Sequence, residues 1–375
     1  MIATSSFASR ARFVLAIFCL AIIVQPSALH SAEFDHRALA ETARTAFILP
    51  GYRNFAKTID HLRNELNADC SNLKVVSFRR ARVAFRSTIV AWGGIEIIQF
   101  GPVANANRLE RIFYWPDRKG IGRRQVMRLL RAGDMSATSP AKLSKKSVAV
   151  QGLTAMEHIL YERRSGSETP TSDAMTYRCT YLRAITQNLG NIVDQIVRSW
   201  VPGGAFARIW LRPGPNNPAY LSDEETTREL VKALDQSLES VRDRRIAPPL
   251  GFGRNRRQQT KPILWRSNLS MTLIAANIVS ARDLLFRGGL ANAYLESQDQ
   301  GPIAIGIMSS LKSEFDLTIR AARALTNRND VFARPDVRRN LMLVGFPLKN
   351  IRTQSVAAMK RAAGLSIGFN ASDGD

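Results

Sequence analysis

One carboxylate in this sequence stands in a setting where a carboxylate needs a reason to be. Glu157 lies in Val150-Gln151-Gly152-Leu153-Thr154-Ala155-Met156-Glu157-His158-Ile159-Leu160, a run whose other members are mostly apolar. An acid among apolar neighbours is paired, solvated by a cleft, or used for binding. On the residues alone a plain salt bridge and a binding role both stay open. The histidines that could work with it are few: His36, His61 and His158, besides His30. No HExxH and no two histidines four apart occur, so the usual zinc-hydrolase arrangement is missing. Glu157 and His158 are sequence neighbours, and on a helix they point about 100° apart, too far to chelate one ion together. The sequence also holds no phosphate-binding glycine loop and no nucleophile elbow. Two further acids, Glu96 and Asp283, sit inside apolar stretches and are expected to pair with arginines such as Arg282. The aromatic turn Ile112-Phe113-Tyr114-Trp115-Pro116-Asp117 either plugs the end of a helical bundle or lines a cleft through Trp115 and Asp117.

The elements that must position these groups read as helices. Asp35 to Ala68 is helical in pattern, with Pro50-Gly51 expected to break or restart it. From an N-cap at Ser71 to a stop at Gly101-Pro102, two seven-residue lines recur: Val76, Val83, Val90, Ile97 and Phe78, Phe85, Trp92. Their different faces predict a broadly buried helix. Residues 133–147 and 165–173 are polar breaks around the Glu157 helix. Cys179, Leu182, Ile185, Leu189, Ile192, Ile196 and Trp200 then mark an amphipathic helix. Residues 201–218, rich in glycine and proline, are the best boundary. Beyond it, Ser222 and Glu225 form a capping-box pattern ahead of Leu230, Leu234, Leu238 and Val241. A basic loop follows at 248–262. Leu273 to Leu285 and Ile303 to Leu325 predict two more helices, and the last ones flank Pro347. No alternating segment of useful length appears, which predicts an all-α chain of two helical bundles, 33–200 and 219–375, joined through 201–218.

Composition bounds the setting. With 375 residues, 45% hydrophobic and 22% charged, the chain is globular in class rather than disordered. Arg10 and Arg12, an apolar run from Phe13 to Val24 and small residues up to Ala32 form a secretory leader pattern, predicting export to the periplasm after loss of residues 1–32. Phe18 before Cys19 does not suit a lipid anchor, and no later apolar stretch reaches spanning length. Export leaves Cys70 and Cys179, an even pair in an oxidising compartment, read as a disulfide, with two buried free thiols as the alternative. Fifty-three basic residues against 31 acidic give a net charge of +22, which attracts anions. Nucleic acid is disfavoured as a partner, since the charge is spread along the chain and export separates it from the genome.

Gly152-Leu153-Thr154-Ala155-Met156-Glu157, together with Trp92, Gly101-Pro102, Trp115-Pro116-Asp117 and the ending Gly368-Phe369-Asn370…Asp373-Gly374-Asp375, resembles the imelysin (M75 peptidase-like) family over essentially the whole exported chain. That resemblance implies two helical bundles with a Gly-x-His-x-x-Glu motif near their interface, a link to iron uptake, and a peptidase label. Gly152 and Glu157 match the motif, while Thr154 replaces its histidine. A histidine and a glutamate three apart can share a metal on one helical face, whereas threonine is a poor ligand. The resemblance therefore implies a periplasmic binding or accessory protein whose cleft includes Glu157, Thr154, Trp115 and Asp117. Iron or another divalent metal is its conceivable cofactor, with Glu157 the one candidate ligand, and iron-transport components or an anionic ligand its conceivable partners. The alternatives are a metallopeptidase and a binder of acidic polysaccharide.

Overall fold

Two prolines shape the path of the chain before packing is considered. A proline clashes with the carbonyl four residues before it in an ordinary α-helix. Between α1 (His36–Thr42) and α2 (Leu49–Asp69) the chain widens into a π-turn, Ala43–Ile48, in which the Leu49 N–H donates to Arg44 O, five residues back. The wider turn carries the chain past Pro50, so Pro50-Gly51 does not break the helix as expected. The same device recurs at Ser240–Ile246, just ahead of Pro248 and Pro249.

The computed structural model describes residues 33–72, 77–117, 119–162, 171–251, 261–326, 328, 331–332 and 335–365. The expected leader at 1–32, the ending at 368–375, and much of the 165–173 break and the 248–262 loop lie outside the described residues. The described residues belong to one compact unit, Ala32–Asp375. They contain no strand, and the fold is all-α.

α3 (Arg79–Gly93) begins eight residues later than expected and ends earlier. Ser71 is not its N-cap. Asp69, at the end of α2, instead accepts from the Ala81 N–H at 2.8 Å. Gly101-Pro102 opens a short 3₁₀ turn rather than ending α3, and Glu96 sits in the turn beyond Gly93. The two seven-residue lines fare differently: in one, Val76 lies outside the described residues and Ile97 is buried beyond the end of the helix. Phe78, Phe85 and Trp92 face the core, whereas Val83 and Val90 are 65% and 45% exposed on the outer side.

The first half continues through α4 (Arg108–Ile112), α5 (Ile121–Ala132), α6 (Pro140–Leu143), α7 (Gly152–Leu160) and α8 (Ser172–Trp200). α2 packs against both α3 and α8. Every predicted apolar position of α8, from Cys179 to Trp200, is buried. Cys70 and Cys179 form the disulfide, tying the end of α2 to α8 across 109 residues of sequence.

Residues 201–218 contain α9 (Ala205–Leu211), whose Trp210 is fully buried. Its indole stacks on Phe100 at 5.1 Å, meets Trp200 edge-on at 5.7 Å, and donates Nε1–H to Ala40 O at 2.9 Å. The second half holds α10 (Asp223–Glu239), α11 (Ala247–Leu250), α12 (Ser270–Phe286), α13 (Leu290–Ser297), α14 (Pro302–Ala324) and α15 (Pro335–Ala362). Neither half of the expected capping box of α10 forms: Glu225 reaches back to the Leu221 N–H, one residue before the cap, and Ser222 makes no side-chain cap. α15 runs through Pro347 as one helix instead of two flanking ones. The hydrogen bond that Pro347 cannot make would fall on Leu343, which is 62% exposed, so water can satisfy that carbonyl. α14 packs on α15 and α12, α10 on α15, and α12 also on α3. No helix among the described residues is long and apolar enough to cross a membrane.

The disulfide closes so long a loop that the chain-entropy view assigns it about 4–5 kcal/mol. Mass spectrometry of the protein purified without reductant should show no free thiol at Cys70 or Cys179. Reduction, or Cys179→Ser, should lower the urea midpoint; an unchanged midpoint would show that the denatured chain is not loosened by losing the link.

Candidate functional site

The start of α7 is set by close backbone packing. Gly152 has φ +74°, and a Cβ built there would lie 2.3 Å from Arg111 O and 2.4 Å from Ile112 O. Only glycine supplies both the left-handed backbone and the room. The preceding Gln151 is fully buried and has its amide satisfied on both sides. Its Nε2 donates to Lys146 O at 2.8 Å, and its Oε1 accepts from Asn188 Nδ2 at 2.8 Å and Arg111 Nε at 3.3 Å.

The third, sixth and seventh residues of α7 are the groups this helix contributes. Thr154, Glu157 and His158 follow i, i+3 and i+4, and therefore share one side of the helix. Glu157 is 3% exposed. Its Oε1 accepts from the Ser267 N–H at 2.9 Å and lies 2.8 Å from the Ser267 hydroxyl. That hydroxyl also lies 3.0 Å from Leu264 O. It has one proton, and the carboxylate is the stronger acceptor. Burial pushes the Glu157 carboxyl above its ordinary range, with the Ser267 contacts and Arg266 opposing that shift.

Ser267 belongs to a turn at 263–268 that leads into α12. Leu264 (φ +53°) and Asn268 (φ +58°) adopt left-handed backbone on either side of it. Such conformations are uncommon for leucine and persist only where surrounding contacts hold them. In the same turn Trp265 lies beneath two cations, Lys261 Nζ at 4.2 Å and the Arg266 guanidinium at 4.3 Å from the ring centre.

His158 is buried, and its Nδ1 has no hydrogen-bond partner. Burial pushes the imidazole from its ordinary 6.5 down to about 4, with Arg266 and Arg123 adding to the effect and Asp117 opposing it. Thr154 Oγ1 is likewise buried and unpartnered. Two orphaned polar atoms four residues apart, beside a buried carboxylate, require an explanation, which a polar ligand or a bound water would supply.

The other sequence candidates have structural partners. Asp117 caps α5, accepting from Ile121 N–H at 2.7 Å and Gly122 N–H at 2.9 Å, and its charge reaches His158 and Arg266. Trp115 precedes a cis bond to Pro116 and lies under the Arg245 guanidinium at 5.2 Å. Arg245 in turn holds Glu96 at 2.6 Å in a buried ion pair, and both bond Asn277. Asp283 pairs with Arg282 at 2.9 Å, as expected of it. Thus Glu157, Thr154 and Asp117 share one charged neighbourhood, while Trp115 belongs to the adjoining Glu96–Arg245–Asn277 cluster. Ser267, Arg266, Arg123 and Arg245 escaped the sequence reading, because nothing in their local pattern points to α7. Two cavities, of about 550 and 500 Å³, open elsewhere, and none of Glu157, Thr154, Trp115 and Asp117 lines either.

The profile of the Imelysin (peptidase M75) family matches residues 48–355. The chain belongs to this family. Two solved structures share its fold. An imelysin-like protein from Psychrobacter arcticum 273-4 superposes with a TM-score of 0.72 at 19% identity, covering 89% of this chain and 97% of that one. A "putative iron-regulated protein A precursor" from Parabacteroides distasonis ATCC 8503 gives 0.69 at 16% identity, covering 90% and 97%. No curated protein shows significant similarity to the chain.

The groups around Glu157 do not suit a resident metal ion. Oε1 is already occupied by two donors, and the charge acting on the carboxylate is the cation of Arg266. Thr154 offers a neutral hydroxyl, and no cluster of three His, Cys, Asp or Glu that could hold a metal occurs among the described residues. No chemical step is therefore routed through a metal here.

Two outcomes follow from this geometry. Gly152→Ala forces a Cβ into two carbonyl oxygens at a left-handed position and should destabilise the fold by roughly 3 kcal/mol or more, read as the urea midpoint. His158 binds its proton less readily folded than unfolded, so its contribution is complete above pH 6.5 and is lost as pH falls toward about 4. The loss is about 3 kcal/mol. Glu157, shifted upward, works in the opposite sense, gaining stability as it protonates at low pH. His158→Gln should flatten the fall in stability between pH 6.5 and 4.5; an unchanged slope would place that titration elsewhere.

Proposed function

We propose that this imelysin-family chain is a non-catalytic periplasmic binding protein that serves iron acquisition. Its α7 face, Thr154, Glu157 and His158, meets the ligand between two helical bundles, 33–200 and 219–375. The observation that carries this reading is the pair of buried, unpartnered atoms, Thr154 Oγ1 and His158 Nδ1, on either side of a carboxylate that Ser267 already holds. An unsatisfied buried hydroxyl is unfavourable by about 1–3 kcal/mol. A ligand that donates to one atom and accepts from the other recovers that energy on binding.

Peptide hydrolysis fits these residues less well. A carboxylate acting as general base needs a free oxygen facing a water activated by a metal or a second group. Glu157 is anchored through Oε1 to Ser267 beside Arg266, and no cluster of three His, Cys, Asp or Glu that could hold a metal to activate water occurs among the described residues. The link to iron is supported by the name of the Parabacteroides relative, and export by the leader pattern of residues 1–32. The net charge of +22 favours an anionic ligand over a cation as the species recognised.

The test pairs a chemical assay with a physiological one. Purified protein incubated with a peptide library should leave the peptides intact, and a deletion strain should grow poorly under iron limitation. Thr154→Val should change thermal stability by less than about 1 kcal/mol yet fail to restore growth. Chelator-sensitive cleavage that disappears in Glu157→Gln would overturn the proposal in favour of a peptidase.

A further inference from the structure

The larger cavity, about 550 Å³, lies away from α7, between the start of α2, the outer side of α3, α12 and the end of α14. We propose that it is a second binding site, for a small organic anion with an apolar body and a carboxylate head. This goes beyond the function proposed above and does not depend on it, because no residue of the α7 face lines the cavity.

The walls are apolar and small. Phe47 and Pro50 come from α2 and the turn before it, Val90 and Ala91 from α3, and Ala275 and Ala276 from α12. Such a wall offers contact area with few hydrogen bonds, which suits a hydrocarbon or aromatic body. The exposure of Val90 then has a use: a seven-residue line that reads as core turns one of its valines toward this space.

The polar groups are basic, apart from a single acid. Arg86, Arg287 and Arg323 line the cavity together with Asp283. Asp283 is shared between Arg282 at 2.9 Å, which also pairs with Asp316 at 3.2 Å, and Arg287 at 3.4 Å, so the one acid of the lining is already engaged before Arg323 is counted. The cavity therefore carries a surplus of positive charge, which favours an anion over a cation or a neutral molecule.

A built-in polar contact completes the case. Thr272, on the first turn of α12, is 5% exposed and lines the cavity, and its Oγ1 has no hydrogen-bond partner. A buried hydroxyl without a partner is rare enough to require explanation. Its side chain lines a cavity large enough for a ligand of modest size, and a carboxylate oxygen that reached the hydroxyl would accept its hydrogen bond.

Titration calorimetry with octanoate, octan-1-ol, octylammonium and inorganic phosphate reads each part of the claim. Octanoate should bind saturably with one site per chain, at least about tenfold tighter than octan-1-ol, and octylammonium should not bind. Arg323→Glu, at an exposed position, should weaken octanoate by about tenfold or more and reduce its dependence on salt. Val90→Trp should fill the space and abolish binding. Thr272→Val, which removes the orphaned hydroxyl while keeping its shape, should raise the melting temperature of the free protein and weaken octanoate. Equal binding of octanoate and octan-1-ol would overturn the carboxylate head, and phosphate binding without octanoate binding would overturn the apolar body. No binding by any probe, or octanoate binding that survives both Val90→Trp and Arg323→Glu, would overturn the site.

Discussion

The buried ion pair between Glu96 and Arg245 is the constraint on which the rest of this molecule turns. Each charge alone would be prohibitively unfavourable away from water, so neither segment can leave the other without exposing or neutralising its group. Glu96 lies in the turn just past α3, and Arg245 lies in the π-turn that follows α10. Asn277 of α12 completes the cluster, accepting from Arg245 and donating to Glu96 at 3.1 Å and to Gly93 O at 3.0 Å. Three segments from opposite halves of the sequence are thereby fixed at one point. The backbones come close there because Gly93 has no side chain: a Cβ would lie 2.7 Å from that of Ala276. Ser280 extends the seam by donating to Gly94 O at 2.7 Å.

Fixing α12 in this way fixes what precedes it. The turn at 263–268 enters α12 directly, and its Ser267 is the partner that Glu157 requires. The carboxylate on α7 and the hydroxyl on the turn are 110 residues apart in sequence, and they meet because the α3–α12 seam is already set. Arg245 links the two regions a second way, by lying over Trp115, two residues before the Asp117 that caps α5 and faces the charges around His158. Burial then acts oppositely on the two titrating neighbours, raising the Glu157 carboxyl and lowering the His158 imidazole. Both shifts favour the neutral form, yet Ser267 and Arg266 work to keep Glu157 charged, whereas His158 has only Asp117 to oppose two arginines.

What the residues revealed in advance follows from the range of the forces involved. α8 was legible because its seven apolar positions repeat at helical spacing, and burial of one stripe needs no knowledge of the partner. The Cys70–Cys179 link was legible because only two cysteines remain after the expected leader is removed. α3 misled, since valines and aromatics at seven-residue spacing look alike, and only the packing of α2 and α12 decides which line is covered. Its N-terminus misled for a related reason, because the capping acid, Asp69, comes from the preceding helix rather than from the residue before the first turn. Pro50 and Pro347 were read as breaks, but a π-turn absorbs the first and a solvent-facing carbonyl tolerates the second. Glu157 could be singled out as an acid in an apolar run. Ser267 could not be found from sequence, because one serine in a turn looks like any other until the seam brings it to α7.

The start of α12 then emerges as the element common to both sites. Ser267 and Thr272 are five residues apart, and they serve different sides of the seam. Ser267 turns toward α7 and donates a hydrogen bond to Glu157, while Thr272 lines the cavity beside α2 and α3 with its hydroxyl unpartnered. In each place a threonine hydroxyl has no partner, Thr154 on one side and Thr272 on the other, and arginines supply the neighbouring charge. Such groups weaken the empty protein slightly and strengthen any complex that satisfies them. A fold selected for stability alone gains by replacing such a threonine with valine, which keeps the shape and removes the unpaired group. Thr154 and Thr272 both go without a hydrogen-bond partner, and each lies in the region of one of the two proposed sites.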